Sequence, residues 1–198
     1  MHQMLPDITT LGPFKRFVLW TQGCRRRCPG CVSPDSRPLD GGREIPVEEI
    51  ARKILQHDQE GITVSGGEPF LQARALCDLI DRLRGERDTG VILYTGYTLE
   101  ELSAADAPDG AAELLDRIDL LIDGPYVREL NDDASLRGSS NQRVLPLTGR
   151  YRDYLSLYGV SGGRETELRV LPDGFFIAGI PSKAVAAANR LGTDEKQE

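Results

Sequence analysis

Apolar residues in this chain come in short continuous runs, separated by polar stretches rich in turn formers. Phe17 to Thr21, inside "KRFVLWTQGC", predicts a buried strand leading into a cysteine-rich loop. The segment "SPDSRPLDGGREIP" (33–46) holds too many turn formers to be a core element. Val47, Ile50, Ala51 and Ile54 then recur at i, i+3, i+4 and i+7, which predicts an amphipathic helix with Pro46 near its first turn. Ile62 to Ser65 predicts the next strand, stopped by Gly66 and Gly67. A second helix is predicted over 70–84, with Ala73, Leu76, Cys77, Ile80 and Leu83 on one face. "GVILYTGY" (90–97) predicts a strand. Thr98 and Glu101 have capping-box spacing for the helix that follows, and 111–117 adds a further helical turn or two. Residues 118–126 predict another strand, 131–141 a polar loop, and "QRVLPL" a fifth strand. Residues 165–181 predict a β-hairpin turning at Pro172-Asp173-Gly174. After Ser182 the chain is Ala-rich and then charged, a composition expected to fray.

Alternation of strand and helix through the first 145 residues implies parallel strands joined by right-handed crossovers. At 198 residues the chain is short of the roughly 250 typical of a full eight-fold barrel. The expected fold is therefore α/β, an incomplete, TIM-like barrel of parallel strands with alternating helices, or an open sheet of the same kind, plus a C-terminal β-hairpin. One domain is expected over 1–181, with its core at 10–146, a hairpin extension at 150–181 and a flexible tail at 182–198. In such sheets ligands bind at the carboxyl ends of the strands. The cysteine loop, Gly66-Gly67-Glu68, Thr95-Gly96-Tyr97 and Asp123-Gly124-Pro125 all fall at those ends.

A hydrophobic content of 39% suffices for a core, and no run approaches the roughly 18 apolar residues that suggest a membrane span. The N-terminus lacks the basic-then-apolar layout of a signal peptide, so a cytoplasmic protein is expected, with no membrane partner. A formal net charge of −7 argues against a nucleic-acid partner. Arg25, Arg26 and Arg27 are a local exception: an arginine run is either a solvated surface or a dock for an acidic partner.

"CRRRCPGC" places Cys24, Cys28 and Cys31 within eight residues, and the fourth cysteine, Cys77, follows far behind. A reduced compartment and the close spacing argue against disulfides and for metal binding. Structural zinc takes four protein ligands. His2 and His57 are the only imidazoles, and Cys77 lies on an apolar helix face, where cysteine acts as a small hydrophobe. Electron-transfer clusters take four cysteines. Three thiolates on a four-iron cluster leave one iron open, and an open position is the mark of a catalytic metal.

The Cys24-x3-Cys28-x2-Cys31 motif after the first predicted strand, with "GGEP" after the second, resembles the radical S-adenosylmethionine enzymes. "LWTQGCRRRCPGC", "TVSGGEPF", "LYTGYTLEEL", "LLIDGPYVREL" and "RGSSNQRV" occur in that order. Together they resemble the activating proteins of anaerobic (class III) ribonucleotide reductase and their single-cluster relatives, over roughly residues 10–146. The resemblance implies that Cys24, Cys28 and Cys31 hold a 4Fe–4S cluster whose free iron is chelated by S-adenosylmethionine. One electron then cleaves that cofactor to methionine and a 5′-deoxyadenosyl radical. It also implies that Gly66, Gly67 and Glu68 bind the methionyl ammonium, the glycines by letting backbone approach the cofactor. Thr95 and Asp123 would bind ribose, methionine or a monovalent cation, unless the aspartate is a helix cap. Arg137, Ser139, Ser140, Asn141, Gln142 and Arg143 would offer donors to the cofactor's carboxylate, unless they form a plain polar linker. Gly30 stands where many radical enzymes carry an aromatic touching adenine, which leaves Tyr94, Tyr97 and Val144 as candidates. Trp20 and Phe17 are assigned to the core.

The expected activity is installation of a glycyl radical on an anaerobic ribonucleotide reductase, with a flavodoxin or ferredoxin as reductant docking at Arg25 to Arg27. The alternatives are a radical enzyme acting on another glycyl-radical enzyme or a peptide, and a non-catalytic zinc or iron–sulfur module.

Overall fold

Side chains alternate across each strand, and here both faces of the sheet are covered, which is why the strands read as unbroken apolar runs. The computed structural model describes residues 1–158, 163–172 and 174–183. Its main sheet runs in the order β1 (Gln3–Ile8), β2 (Arg16–Thr21), β3 (Gly61–Gly66), β4 (Gly90–Tyr94), β5 (Leu120–Asp123) and β6 (Arg143–Pro146). The four inner strands are parallel, with Arg16 beside Gly61, Gly61 beside Gly90 and Ile92 beside Leu120. Helices α1 (Val47–Leu55), α2 (Ala73–Glu86), α3 (Leu99–Leu102) and α4 (Ala111–Leu115) follow, and each contributes buried residues to one core. That core joins Phe17, Leu19, Val64, Leu93 and Leu121 of the sheet to Ile54, Cys77, Ile80, Leu102 and Leu114 of the helices. No helix among the described residues is long and apolar enough to cross a membrane.

The outer strands depart from the expected succession of parallel strands. β1 and β6 pair antiparallel with their neighbours, so the sheet is open and mixed. A parallel return needs a crossover that carries the chain back along the sheet. Between β5 and β6 the only helical piece is the short 3-10 turn Arg128–Leu130, and β6 starts with Arg143 beside Asp123. The chain leaves and re-enters the sheet at the same end. β1 was not foreseen because its buried residues, Leu5 and Ile8, are three apart and straddle an irregularity in the register.

The second face of the sheet has two coverings. Over β1 and β2 lies the hairpin β7 (Thr166–Leu171) and β8 (Gly174–Gly179). Its Ala178 is fully buried with Leu5, Ile8, Val18 and Trp20, and Phe176 meets Trp20 edge-on, with 4.7 Å between ring centres. Over β4 and β5 lie Leu136 and Tyr151, with Tyr154, Leu155 and Tyr158 packed around them. Arg164, nearly buried, ties the hairpin to the loop before β6, donating to the carbonyls of Ala134 (3.1 Å), Arg137 (2.5 Å) and Pro181 (3.1 Å). Asp173 of the expected hairpin turn and residues 184–198 of the expected tail lie outside the described residues.

At the amino ends of the parallel strands, Arg16 is fully buried. It donates to Thr63 Oγ1 (2.6 Å), the Ile62 carbonyl (2.5 Å), the Tyr151 hydroxyl (3.0 Å) and the Glu60 carboxylate (2.6 Å). Arg150 and Tyr151 also donate to Glu60, each at 2.6 Å. This network fastens three strand ends to the segment after β6.

Candidate functional site

At the carboxyl ends of the same strands lies a cleft of about 420 Å³. Cys24, Cys28 and Cys31 line it together with Gly66, Gly67, Glu68, Thr95 and Gly124, so four of the sequence segments meet where the strand ends predict. All four cysteines are free thiols, and Cys77 is buried in the helix-side core as its face implies. His2 reaches Gln22 Oε1 at 3.2 Å and His57 stacks edge-on against Phe17, so neither imidazole joins the cleft.

The cysteine loop is long and irregular, yet backbone hydrogen bonds pin it at its base. Gly23 and Cys24 donate their N–H groups to the carbonyls of Ser36 (2.8 Å) and Arg37 (2.9 Å). Gln22 Nε2 donates to the Pro38 carbonyl at 2.8 Å, and Gln72 Nε2 donates to the Gln22 carbonyl at 2.7 Å. Burial pushes the Cys24 and Cys31 thiols up from their ordinary value, and the neighbouring cysteines push the same way. Metal binding therefore has to displace their protons.

Gly66 (φ +100°) and Gly67 have a cause in the sheet itself. A Cβ on Gly66 would stand 2.5 Å from the Thr21 nitrogen, and one on Gly67 would run into the Gly23 carbonyl. The turn crosses the outgoing end of β2, and a side chain at either position would push the cysteine loop away. The Gly67 and Glu68 N–H groups are likewise taken, by the carbonyls of Thr21 (3.0 Å) and Gly23 (2.8 Å).

Glu68 is 2% exposed, and burial raises its carboxyl pKa. Three donors hold it: the Thr95 hydroxyl at 2.7 Å and the Phe70 N–H at 3.2 Å on Oε1, and the Gly96 N–H at 2.8 Å on Oε2. Thr95 also accepts from the Tyr97 N–H at 3.1 Å, so its hydroxyl is engaged on both sides.

The other expected site residues frame the cleft without lining it. Asp123 is fully buried, accepts from the Leu99 N–H at 2.8 Å at the start of α3, and is ion-paired with Arg143. Arg143 also grips Glu100. Arg137 pairs with Asp132 at 2.5 Å, Ser139 Oγ accepts from the Val127 N–H at 3.1 Å, and Asn141 donates to the Pro125 carbonyl at 2.7 Å. Gln142 closes the loop, accepting from the Gly138 N–H (2.8 Å) and donating to the Gly124 carbonyl (2.9 Å). The "RGSSNQR" segment is thus a self-bonded wall, with Gly138 and Gln142 facing the cleft.

Several lining residues were not assigned to the site from sequence. Trp20, given to the core, faces both the core and the cleft. Tyr126, Asn131 and the hairpin's Gly179-Ile180-Pro181 complete the walls. Tyr126 carries a signal, an aromatic two residues past a strand-ending glycine, whereas the hairpin carries none. Gly30 (φ +74°) lies under Arg128, whose Nε a Cβ would meet at 2.7 Å. Of the candidates for packing adenine, Tyr94 lines the cleft, while Tyr97 lies under the Arg26 guanidinium and Val144 packs in the second-face core.

Two observations bear on what the cleft could hold. Among the described residues the Tyr94 hydroxyl and Arg26 Nε are buried without any hydrogen-bond partner, and both residues line the cleft. At a cleft, such groups keep hydrogen-bonding capacity for a polar ligand. The three thiols, with no fourth cysteine or histidine beside them, fit a cluster that keeps one corner for such a ligand.

Comparison with known proteins agrees with this chemistry. The 4Fe-4S single cluster domain family matches residues 10–145. The chain is similar to the anaerobic ribonucleoside-triphosphate reductase-activating protein of Salmonella typhimurium, 33% identical over 153 residues, covering 72% of this chain and 96% of the relative. It is similar to the protein of the same name from Escherichia coli K12, at 32% over 154 residues, with 72% and 96% covered. It is also similar to the pyruvate formate-lyase-activating enzyme of Staphylococcus aureus, 32% identical over 168 residues, covering 77% of this chain and 63% of the relative.

Proposed function

Because this chain belongs to the radical S-adenosylmethionine activase family, with a 4Fe-4S single cluster domain, we propose that it is the enzyme that installs a glycyl radical on an anaerobic ribonucleotide reductase. The observation that carries this reading is the convergence of Cys24, Cys28, Cys31 and Glu68 on one cleft, in a chain that spans nearly the whole length of the reductase-activating relatives. When bound, the cluster and S-adenosylmethionine supply the one-electron cleavage that leads to hydrogen abstraction from the partner's glycine.

The chain's own residues supply placement. Cys24, Cys28 and Cys31 would hold the cluster. Glu68, fixed by Thr95 and Gly96, would accept from the methionyl ammonium beside the Gly66-Gly67 turn. Tyr94 would offer its hydroxyl to a ligand oxygen. Asp123 and Arg143 act as a strut between β5, β6 and α3, and Arg137, Ser139 and Asn141 keep the loop over the cleft in shape. We read the open sheet as an incomplete barrel whose unclosed side admits a peptide loop.

Anaerobic incubation of the reduced protein with S-adenosylmethionine and a class III reductase is expected to give a glycyl-radical EPR doublet on the reductase. Cofactor cleavage with no radical on the partner would sink the proposal. The hairpin outside the family match, and the similarity to a pyruvate formate-lyase activase, favour one second reading, another glycyl-radical enzyme as partner. The same assay run with pyruvate formate-lyase separates the two.

For the reductant, an acidic flavodoxin or ferredoxin suits Arg25 and Arg27, which are exposed beside the cluster loop, whereas Arg26 is half-buried and turned inward. Replacing Arg25 and Arg27 together by Ser is expected to slow cluster reduction by such a protein and to flatten its salt dependence. Unchanged rates at low salt would refute the docking role.

A further inference from the structure

Arg26 behaves unlike its two neighbours. Its guanidinium lies over the Tyr97 ring, 4.5 Å from the centroid, and its Nη2 donates to Glu101 Oε2 at 2.8 Å. Glu101 is itself fixed, because it accepts from the Thr98 N–H at 2.7 Å in the capping box that opens α3. These two anchors set the plane of the guanidinium, and Nε is left buried and without a partner among the described residues, on a residue that lines the cleft. Arg26 and Glu68 flank Gly96. A Cβ there would stand 3.1 Å from Arg26 Nε and 3.4 Å from Glu68 Oε2. The rim therefore presents an N–H donor on a cation and a carboxylate acceptor a few ångströms apart, each with capacity left over. Their complement is a zwitterion, an α-amino acid head with its ammonium toward Glu68 and its carboxylate toward Arg26.

The arginines expected from sequence to take that carboxylate are engaged elsewhere. Arg143 is shared by Asp123 and Glu100, Arg137 is paired with Asp132, and neither lines the cleft. We propose that Arg26 is a ligand-binding residue whose Nε–H hydrogen-bonds the amino-acid carboxylate of the cofactor and selects for carboxylated ligands. This rests on the reading above that the cleft binds S-adenosylmethionine. An N–H on a cation meeting a carboxylate is a charge-assisted bond, strong where water is excluded.

The test measures dissociation constants on the cluster-loaded protein for S-adenosylmethionine and for its decarboxylated analogue, alongside iron content. Loss of the iron–carboxylate contact affects wild type and variant alike, so it cancels in the double comparison. Arg26→Gln is expected to weaken S-adenosylmethionine binding about tenfold or more while leaving the analogue within about twofold. Arg26→Lys, which keeps the charge but withdraws the Nε–H, narrows the preference by a smaller factor, and it serves alone should the glutamine variant not fold. A variant that weakens both ligands equally, or neither, overturns the role of Arg26 and leaves the proposed function standing. Failure of the wild-type protein to bind S-adenosylmethionine overturns both.

Discussion

Replacing Cys28 by Ala is expected to remove both the cluster and all radical chemistry. Reconstituted wild-type protein should carry about four irons per chain, and the variant a small fraction of that. The expectation follows from the ligand count. Only three thiols line the cleft, no imidazole joins them, and the nearby carboxylate Glu68 is already held by three donors. Among the described residues the cleft holds no further thiol or imidazole to stand in for a lost cysteine. The fold itself should be little affected, because Cys28 is half-exposed and the loop is pinned through Gln22, Gly23 and Cys24 instead. Cys77→Ala supplies the contrast. That thiol sits in the helix-side core, so its loss is expected to lower stability by about 1 kcal/mol and leave the iron content unchanged. Iron analysis and a cluster absorbance spectrum decide both cases. A Cys28→Ala protein retaining a full cluster would mean that some other group holds iron.

The cysteine triad, the glycine pair and the strand ends were legible because each rests on local spacing. The capping box at Thr98 and Glu101 was legible for the same reason, and it forms as expected. What the sequence hid were relations between distant segments. Gly66 and Gly67 suggest close approach to a ligand, yet the nearest obstacles to a Cβ are the backbones of Thr21 and Gly23 on the neighbouring strand. Asp123 and Arg143 look like ligand groups when read singly. Only the antiparallel register of β5 and β6, set by a loop that never crosses the sheet, turns them into a pair. Trp20 occupies a core position by periodicity and a cleft position because β2 ends there. The hairpin's part in the cleft wall was invisible because it depends on packing across the sheet: Phe176 against Trp20, and Arg164 against the loop before β6.

Glu60 was not singled out by any motif, yet Glu60→Gln is expected to be the most destabilising single change away from the cleft. Its carboxylate accepts from Arg16, Arg150 and Tyr151, and Arg16 has no exposure to water through which its charge could be screened. Glutamine has the same shape, but its N–H₂ replaces one of the two accepting oxygens, facing either Arg150 or the Arg16–Tyr151 pair, and leaves the buried cation without a counter-ion. Removing one partner of a buried pair costs about 3–5 kcal/mol, and the neutral acceptors that Arg16 keeps at Thr63 and Ile62 place this case at about 3 kcal/mol. The pH dependence has a definite sign. Burial would raise the Glu60 pKa, but the Tyr151 hydrogen bond and the charges of Arg16 and Arg150 outweigh it and hold the carboxyl below its usual value of 4.5. A depressed folded-state pKa contributes stability that is present above the unfolded value and is lost as pH falls through the folded one. Urea denaturation of the wild type should therefore show this contribution intact above about pH 5 and eroding below about pH 4.5. In Glu60→Gln that step is absent and stability is lower throughout the neutral range. Equal midpoints for the two proteins at pH 7 would show that the network does not hold the amino ends of β2, β3 and β4 together.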